Sequence, residues 1–360
     1  MTVSVSEESV CCPGEYEDTG TQIVTLTMNP ALDITSDADV VRPTEKVRCT
    51  GTRYDPGGGG INVARVAHAL GAGVSAVFVA GGPSGSLVTE LVRDAGVPFR
   101  KVRIAGCTRE SFTVNELSTA KQYRFVLQGP EVTIQEQARC VEVLRTTAAS
   151  AGFVVASGSL PPGVPPDWYQ RVARLCEEIG ARLVLDTSGG GLTHVKSGVF
   201  LLKPSLRELR ECVGQELKSE ADQVAAAENL IDRGVTRSVL VSLGADGALL
   251  ATPTRNWRFP ALRVPAGSGV GAGDAMVAAI TVGLTRGWSL TESVRFGIAA
   301  GAAMLGTPGT ATCSRPEVER LFKLTAAPTE LSASGVRTFA PSTAGPATSN
   351  VDVWESNGPA

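Results

Sequence analysis

Short apolar runs alternate with longer segments whose apolar residues recur at helical spacing, and this alternation organises the chain. Ile23-Val24-Thr25-Leu26-Thr27-Met28 predicts a first strand, Ile61 to Leu70 a helix, and Ala76-Val77-Phe78-Val79 a second strand. A helix from Ser86 to Ala95 follows, then a buried strand at Phe153-Val154-Val155-Ala156 and a helix from Trp168 to Ile179. Leu183 to Leu185 and Val199 to Leu202 predict strands, Ala221 to Arg233 a helix, and Ser238 to Val241 another strand. Wholly apolar strands alternating with helices imply an α/β protein, a three-layer α/β/α sandwich with a mostly parallel central sheet.

Two segments, 34–56 and 107–128, break the alternation. They hold β-rich stretches at Lys46 to Thr50, Phe112 to Asn115 and Gln122 to Val126. They predict a small β-sheet lid, whose apolar face would be covered by a second copy or by substrate. Residues 1–20 are polar and aperiodic, and residues 326–360 are rich in Ala, Pro, Ser, Thr and Gly. Both are expected to be disordered tails around an ordered body at 21–325.

Composition narrows the chemistry. Hydrophobic content of 43%, with 40 glycines among 360 residues, suits a turn-rich α/β domain. A net charge of −3 gives no global basic field for nucleic acid. The longest apolar stretches, near 275–284 and 297–305, are too short to span a bilayer, and no basic-then-apolar leader opens the chain. A cytoplasmic protein with no membrane partner is therefore expected. Eight scattered cysteines form no C-x-x-C pair and read as free thiols, Cys11 and Cys12 lying in the first tail. His68 and His194 are the only histidines, so acid–base work falls to carboxylates.

Ligands of such sheets bind beyond the carboxyl ends of the strands. Polar turns gather there: Asp33, Ser157-Gly158-Ser159, Asp186, Lys203 and Ser242-Leu243-Gly244 each follow a predicted strand. Gly269-Val270-Gly271-Ala272-Gly273-Asp274 directly precedes an apolar helical run, Ala275 to Leu284. A glycine turn opening a helix leaves N–H groups without partners at the positive end of the helix dipole, which suits an anion. Asp274 could accept a proton from a hydroxyl beside that anion, so one loop could hold a phosphoryl group's charge and activate its acceptor. A simple helix cap is the alternative for Asp274. Gly267 to Ala272 also fits the dinucleotide pattern G-x-G-x-x-A. The acidic residue at the right distance, Glu292, lies in a capping box, Ser289-Leu290-Thr291-Glu292, with no strand between, which argues against nicotinamide binding. No P-loop motif occurs.

A second glycine loop reads Asp55-Pro56-Gly57-Gly58-Gly59-Gly60-Ile61-Asn62-Val63-Ala64. With Gly269 to Asp274, it resembles the two signatures of the ribokinase-like, or PfkB, carbohydrate kinases. Thr27 to Asp33, Ser157 to Gly163 and Gln122-Tyr123-Arg124-Phe125 are similar to the phosphosugar branch of that family, and the resemblance runs from residue 22 to residue 323. It implies a ribokinase-like fold with a lid. It also implies transfer of the ATP γ-phosphoryl group to a sugar hydroxymethyl group. Fructose 6-phosphate is the leading acceptor, and tagatose 6-phosphate and fructose 1-phosphate are the alternatives.

By resemblance, Asp274 is the catalytic base, and the N–H groups of Gly271, Ala272 and Gly273 form the anion hole. Asp33, Gly57, Gly58, Asn62 and Ser159 meet the sugar. The alternative for the glycine run is a flexible loop. Lys46, Arg48 and Arg109 clamp the sugar's phosphate, with Arg48 reaching across a homodimer built through the lid, while Arg124 is a weaker candidate for the same role, with an ordinary surface residue as the alternative. Lys203, Ser205, Ser242 and Gly244 contact ATP, Glu208 organises Mg²⁺, and potassium is expected near the anion hole.

Four departures surround this site. Serine replaces asparagine in the N-x-x-E motif at Ser205-Leu206-Arg207-Glu208 and again in Thr108-Arg109-Glu110-Ser111. Gly269 stands where a hydroxyl residue is common, and Thr307-Pro308-Gly309-Thr310-Ala311 lacks the family's asparagine and arginine. They motivate a further alternative, a catalytically weakened sugar-phosphate or nucleotide sensor.

Overall fold

A computed structural model describes residues 22–265, 269–307 and 311–331. Strand β1 (Ile23–Thr27) leads to β2 (Ala31–Ala38) and β3 (Thr50–Gly57), which leave the main body for a smaller sheet. Helix α1 (Gly59–Ala69) returns to β4 (Val74–Ala80), and α2 (Gly82–Asp94) to β5 (Phe99–Arg103). The chain leaves again for β6 (Arg109–Glu116) and β7 (Lys121–Val126). Then come α3 (Ile134–Thr147), β8 (Phe153–Ser157), α4 (Trp168–Ile179), β9 (Arg182–Asp186), α5 (Gly190–Thr193), β10 (Val199–Leu202), α6 (Leu206–Val213), α7 (Glu220–Asp232) and β11 (Thr236–Ser242). Strands β12 (Ala248–Ala251) and β13 (Asn256–Phe259) precede α8 (Ala272–Thr285), α9 (Leu290–Leu305), α10 (Arg315–Phe322) and β14 (Thr329–Leu331).

The main sheet has the order β14-β13-β12-β11-β10-β9-β8-β1-β4-β5. It is parallel from β11 through β5 and antiparallel from β11 outward to β14. Its central strands are buried on both faces, so successive residues enter different cores. In β4, Val74, Ala76 and Phe78 join one core with α1, α8 and α9; Val77 and Val79 join the other with α3 and α4. The α/β/α sandwich with a separate small sheet is therefore the fold of this chain.

The small sheet has the order β3-β2-β6-β7, and its register sorts side chains cleanly. Tyr54, Ile34, Phe112 and Phe125 lie in one row on one face; Asp55, Asp33, Ser111 and Val126 lie in the adjacent row on the other. The lid thus carries one polar and one apolar face.

Three expectations need correction. Lys46 to Cys49 form no strand: Pro43 lacks an N–H, Thr44 holds a left-handed φ of 66°, and β3 begins only at Thr50. Asp33 does not end a strand but sits inside β2. The ordered body does not stop at residue 325, because Thr329–Leu331 pairs with β13 and extends the sheet. The tail expectations for 1–20 and 332–360, with Cys11, Cys12, Gly267 and residues 308–310, lie outside the described residues.

Candidate active site

Helix α8 begins one residue after Gly271, which takes the left-handed conformation (φ 77°) and offers no side-chain cap. The amides of the first turn are therefore left to a ligand. Ala272 N–H spends itself weakly, on a long 3.4 Å bond to the Gly269 carbonyl. The helix is pinned from behind. A Cβ on Gly297 of α9 would stand 2.6 Å from Ile280, and one on Gly283 would stand 2.7 Å from Ser293, so only glycine lets the two helices press this closely.

Asp274 occupies the first turn of α8 but does not cap it. Its carboxylate accepts from Asn62 Nδ2 at 2.9 Å and from Ser157 Oγ at 3.3 Å. These partners come from the start of α1 and the end of β8, so three distant segments converge on one side chain. The glycine run makes the convergence possible. A Cβ on Gly59 would collide with Ser157 Oγ, and one on Gly57 with the Asp33 carboxylate. Close approach accounts for these glycines, and the flexible-loop alternative falls.

Beside Asp274 lies a buried ion pair. Lys203, 5% exposed, places Nζ 3.2 Å from Asp186 Oδ1. The same Nζ is 3.7 Å from where a Cβ on Gly273 would sit, which brings the ammonium against the α8 turn. Burial opposes the lysine's charge, but Asp186, Glu208 and Asp274 outweigh it and raise its pKa. Asp274 itself is pushed up to about 7, first by burial and then by Asp186; Asn62, Lys203 and Ser157 work the other way. A carboxylate poised near neutrality suits a base that must take a proton and release it.

Along the sheet edge, Ser242 N–H donates to the Pro204 carbonyl at 3.0 Å, joining the turns after β10 and β11. Ser205 and Glu208 form a capping box on α6: both the Ser205 N–H and its hydroxyl donate to Glu208 Oε2 at 2.8 Å. Serine at the first position of N-x-x-E therefore still holds this glutamate. Gly244 holds a left-handed φ of 61° with open space around it.

On the lid side, Asp33, Ser111, Gln122 and Arg124 line a recess with Val270 of the glycine turn before α8. The polar face of the lid and the glycine turn before α8 thus meet. Asp33 is pushed up to about 6 by burial, against the pull of Arg124 and Arg109. Arg124, the weaker candidate in the sequence, lines the same recess as this carboxylate. Arg109 donates to the carbonyls of Asn29 (3.1 Å) and Leu127 (3.2 Å). Ser159 Oγ accepts from Asn29 Nδ2 at 3.1 Å. Lys46 and Arg48 are exposed on the irregular stretch before β3, whose Val41 N–H is tied to Glu116 Oε1 at 2.7 Å. Within one chain no contact draws these two cations to the recess.

Sequence reading gave no role to Asp186, Ser157, Asn29 or the Arg53–Asp55 ion pair, which closes at 2.7 Å. Asp186 and Ser157 carried a usable signal, since both lie in the row of polar strand ends. Asn29 lay within the Thr27 to Asp33 motif without a role of its own, and Arg53 carried no signal.

This geometry belongs to a known class. The chain is a member of the family described as pfkB family carbohydrate kinase, whose family model matches residues 26–317. It is therefore a carbohydrate kinase, an enzyme that moves a phosphoryl group onto a sugar hydroxyl. Among curated proteins it is 65% identical to the ATP-dependent 6-phosphofructokinase isozyme 2 of Mycobacterium tuberculosis over 319 residues, covering 89% of this chain and 94% of that one. Among solved structures it resembles phosphofructokinase-2 from Escherichia coli in complex with fructose-6-phosphate (35% identity, TM-score 0.79) and in complex with potassium (36%, TM-score 0.81). Each comparison covers 84% of this chain and 99% of the other.

Proposed function

We propose that this kinase transfers the γ-phosphoryl group of ATP to the 1-hydroxyl of fructose 6-phosphate, giving fructose 1,6-bisphosphate. The observation that carries the reading is Asp274: a largely desolvated, half-buried carboxylate with a pKa of about 7, at an uncapped helix start, beside Lys203. The naming of the 65% identical relative and the fructose-6-phosphate complex of the E. coli protein support the choice of sugar.

Asp274 takes the proton of the acceptor hydroxyl as the oxygen attacks. The amides of Ala272 and Gly273 and the Lys203 ammonium hold the charge that develops on the transferring group. Asp33 accepts two sugar hydroxyls, and Asn62 Oδ1, buried with no partner of its own, accepts another. Gly57, Gly58 and Ser159 frame the sugar, while Arg124, Arg109, Lys46 and Arg48 supply cations for its phosphate. The Ser205 and Ser242–Gly244 turns receive the nucleotide.

The residues also fit a nucleotide-borne metal. Among the described residues no three His, Cys, Asp or Glu side chains gather as a metal cage. Mg²⁺ needs few protein ligands, and Glu208, with Asp186 nearby, would orient its waters. When bound, the ion neutralises charge on the β- and γ-phosphates. Potassium near the anion hole is the expected monovalent partner, in line with the potassium complex of the E. coli relative. The exposed apolar face of the lid supports a homodimer in which Arg48 reaches the partner's recess. No described helix is long and apolar enough to cross a membrane, and we place the enzyme in the cytoplasm.

An ADP-release assay across fructose 6-phosphate, tagatose 6-phosphate, fructose 1-phosphate and unphosphorylated fructose, with and without Mg²⁺ and K⁺, tests this reading. Highest kcat/KM on fructose 6-phosphate with Mg²⁺ is expected. Equal rates on fructose would contradict the phosphate clamp. Ligand binding without Mg²⁺-dependent ADP release would favour a sensor.

A further inference from the structure

Four crossings join the lid to the main body, and one side chain ties two of them together. The first crossing, Met28 to Pro30, runs from β1 into β2; the last runs from Leu127 at the end of β7 toward α3. Arg109 opens β6 on the third crossing. Its Nη2 donates to the Asn29 carbonyl at 3.1 Å and its Nη1 to the Leu127 carbonyl at 3.2 Å. The two tied crossings also touch directly, since a Cβ on Gly129 would collide with Asn29 Oδ1. Asn29 Nδ2 in turn bonds Ser159 Oγ beyond β8. The base of Arg109 is fixed as well: Thr108 N–H donates to the Gly81 carbonyl at 2.9 Å, and Thr108 Oγ1 accepts from Gly81 N–H at 3.2 Å.

We propose that Arg109 is a positioning residue that clasps the lid hinge, holding Asp33 and the other inner-face groups of the lid at a fixed place over the Asp274 turn. Two arms of its guanidinium fork are committed to main-chain carbonyls on separate crossings, so it ties the hinge in addition to any charge it lends the sugar's phosphate. Only a planar fork spans both acceptors; a lysine ammonium is a single point on a flexible stem. The clasp rests on the geometry alone, and its kinetic consequence rests on the reaction proposed above.

Hydrogen exchange of the full-length, ligand-free protein tests the clasp in R109K and R109A. Peptides covering 28–31 and 127–131 are expected to exchange about 10-fold faster in both variants, a local opening, while ladder amides within the lid and in β8–β10 keep wild-type rates. In steady state, KM for fructose 6-phosphate is expected to rise about 10-fold in R109K, with KM for ATP unchanged, because the misplaced lid lies on the sugar side. Unchanged exchange at both crossings overturns the clasp, and a raised KM alongside it would make Arg109 a phosphate ligand only. Faster exchange throughout the lid overturns it too, marking loss of fold. A wild-type enzyme inactive on every sugar phosphate would remove the proposed reaction but leave the exchange result to decide the clasp.

Discussion

Desolvation of the Asp274 carboxyl costs stability and raises its proton affinity, as the proposed role of base requires. As a base it must be ionised in the enzyme–substrate complex, so kcat is expected to fall below about pH 7, tenfold per unit. A flat kcat from pH 5.5 to 8 would contradict the role. The raised pKa also means that folding disfavours the charged form. That cost is absent below the unfolded-state value of 3.8, grows as pH rises, and is complete above about 7. D274N, which carries no charge, is therefore expected to be more stable than wild type by about 2–4 kcal/mol at pH 8, with the gap closing toward pH 4. Denaturant melts at both pH values measure it, and a destabilised D274N at pH 8 would refute the burial argument. Asp274, Asn62 and Asp33 were legible in the sequence because each lies in or beside a motif whose spacing carries the chemistry. Asp186 was legible only as one of the polar strand ends, because its ion pair with Lys203 is made across strands, and Arg124 only as a weaker candidate, because the lid's register is what brings it to the recess with Asp33.

At the scale of elements, glycine decides how closely helices meet strand ends. Gly59 lets the start of α1 lie against Ser157, and Ser157 in turn bonds Asp274. G59A should therefore cost about 1–3 kcal/mol through overpacking. It should also lower kcat about 10-fold by displacing a partner of the base. A variant with wild-type turnover would show that Ser157 is dispensable there. β1, β4, β8, β9, β10 and β11 were legible because buried parallel strands read as continuous apolar runs, whereas the parallel edge strand β5, Phe99-Arg100-Lys101-Val102-Arg103, was not, being largely exposed and charged. β12 was not: Ala248-Leu249-Leu250-Ala251 is built from residues that favour helices, and only pairing with β11 and β13 makes it a strand. β14 lay in a segment whose composition signals disorder, and a three-residue edge strand is too short to counter that signal.

Across the whole molecule, the lid is the part that a single chain leaves unfinished. Its row of Tyr54, Ile34, Phe112 and Phe125 crosses all four strands, and Phe125 remains 55% exposed. An apolar sheet face of this kind calls for a cover. F125E is expected to turn a dimer into a monomer by light scattering and to raise KM for the sugar phosphate. A wild-type enzyme that is fully active as a monomer would overturn the lid dimer. The lid's existence was legible from broken periodicity; its division into polar and apolar faces was not, because register is set by pairings between segments far apart in sequence. The central claim joins both bodies: a sugar held under the lid meets one carboxylate on α8. Its most direct test is single-turnover phosphoryl transfer from MgATP to fructose 6-phosphate, with the product identified by NMR, for wild type and D274N. The account predicts fructose 1,6-bisphosphate from wild type and a rate slower by about 10²-fold or more in D274N with binding retained. Transfer at near wild-type rate by D274N would contradict it.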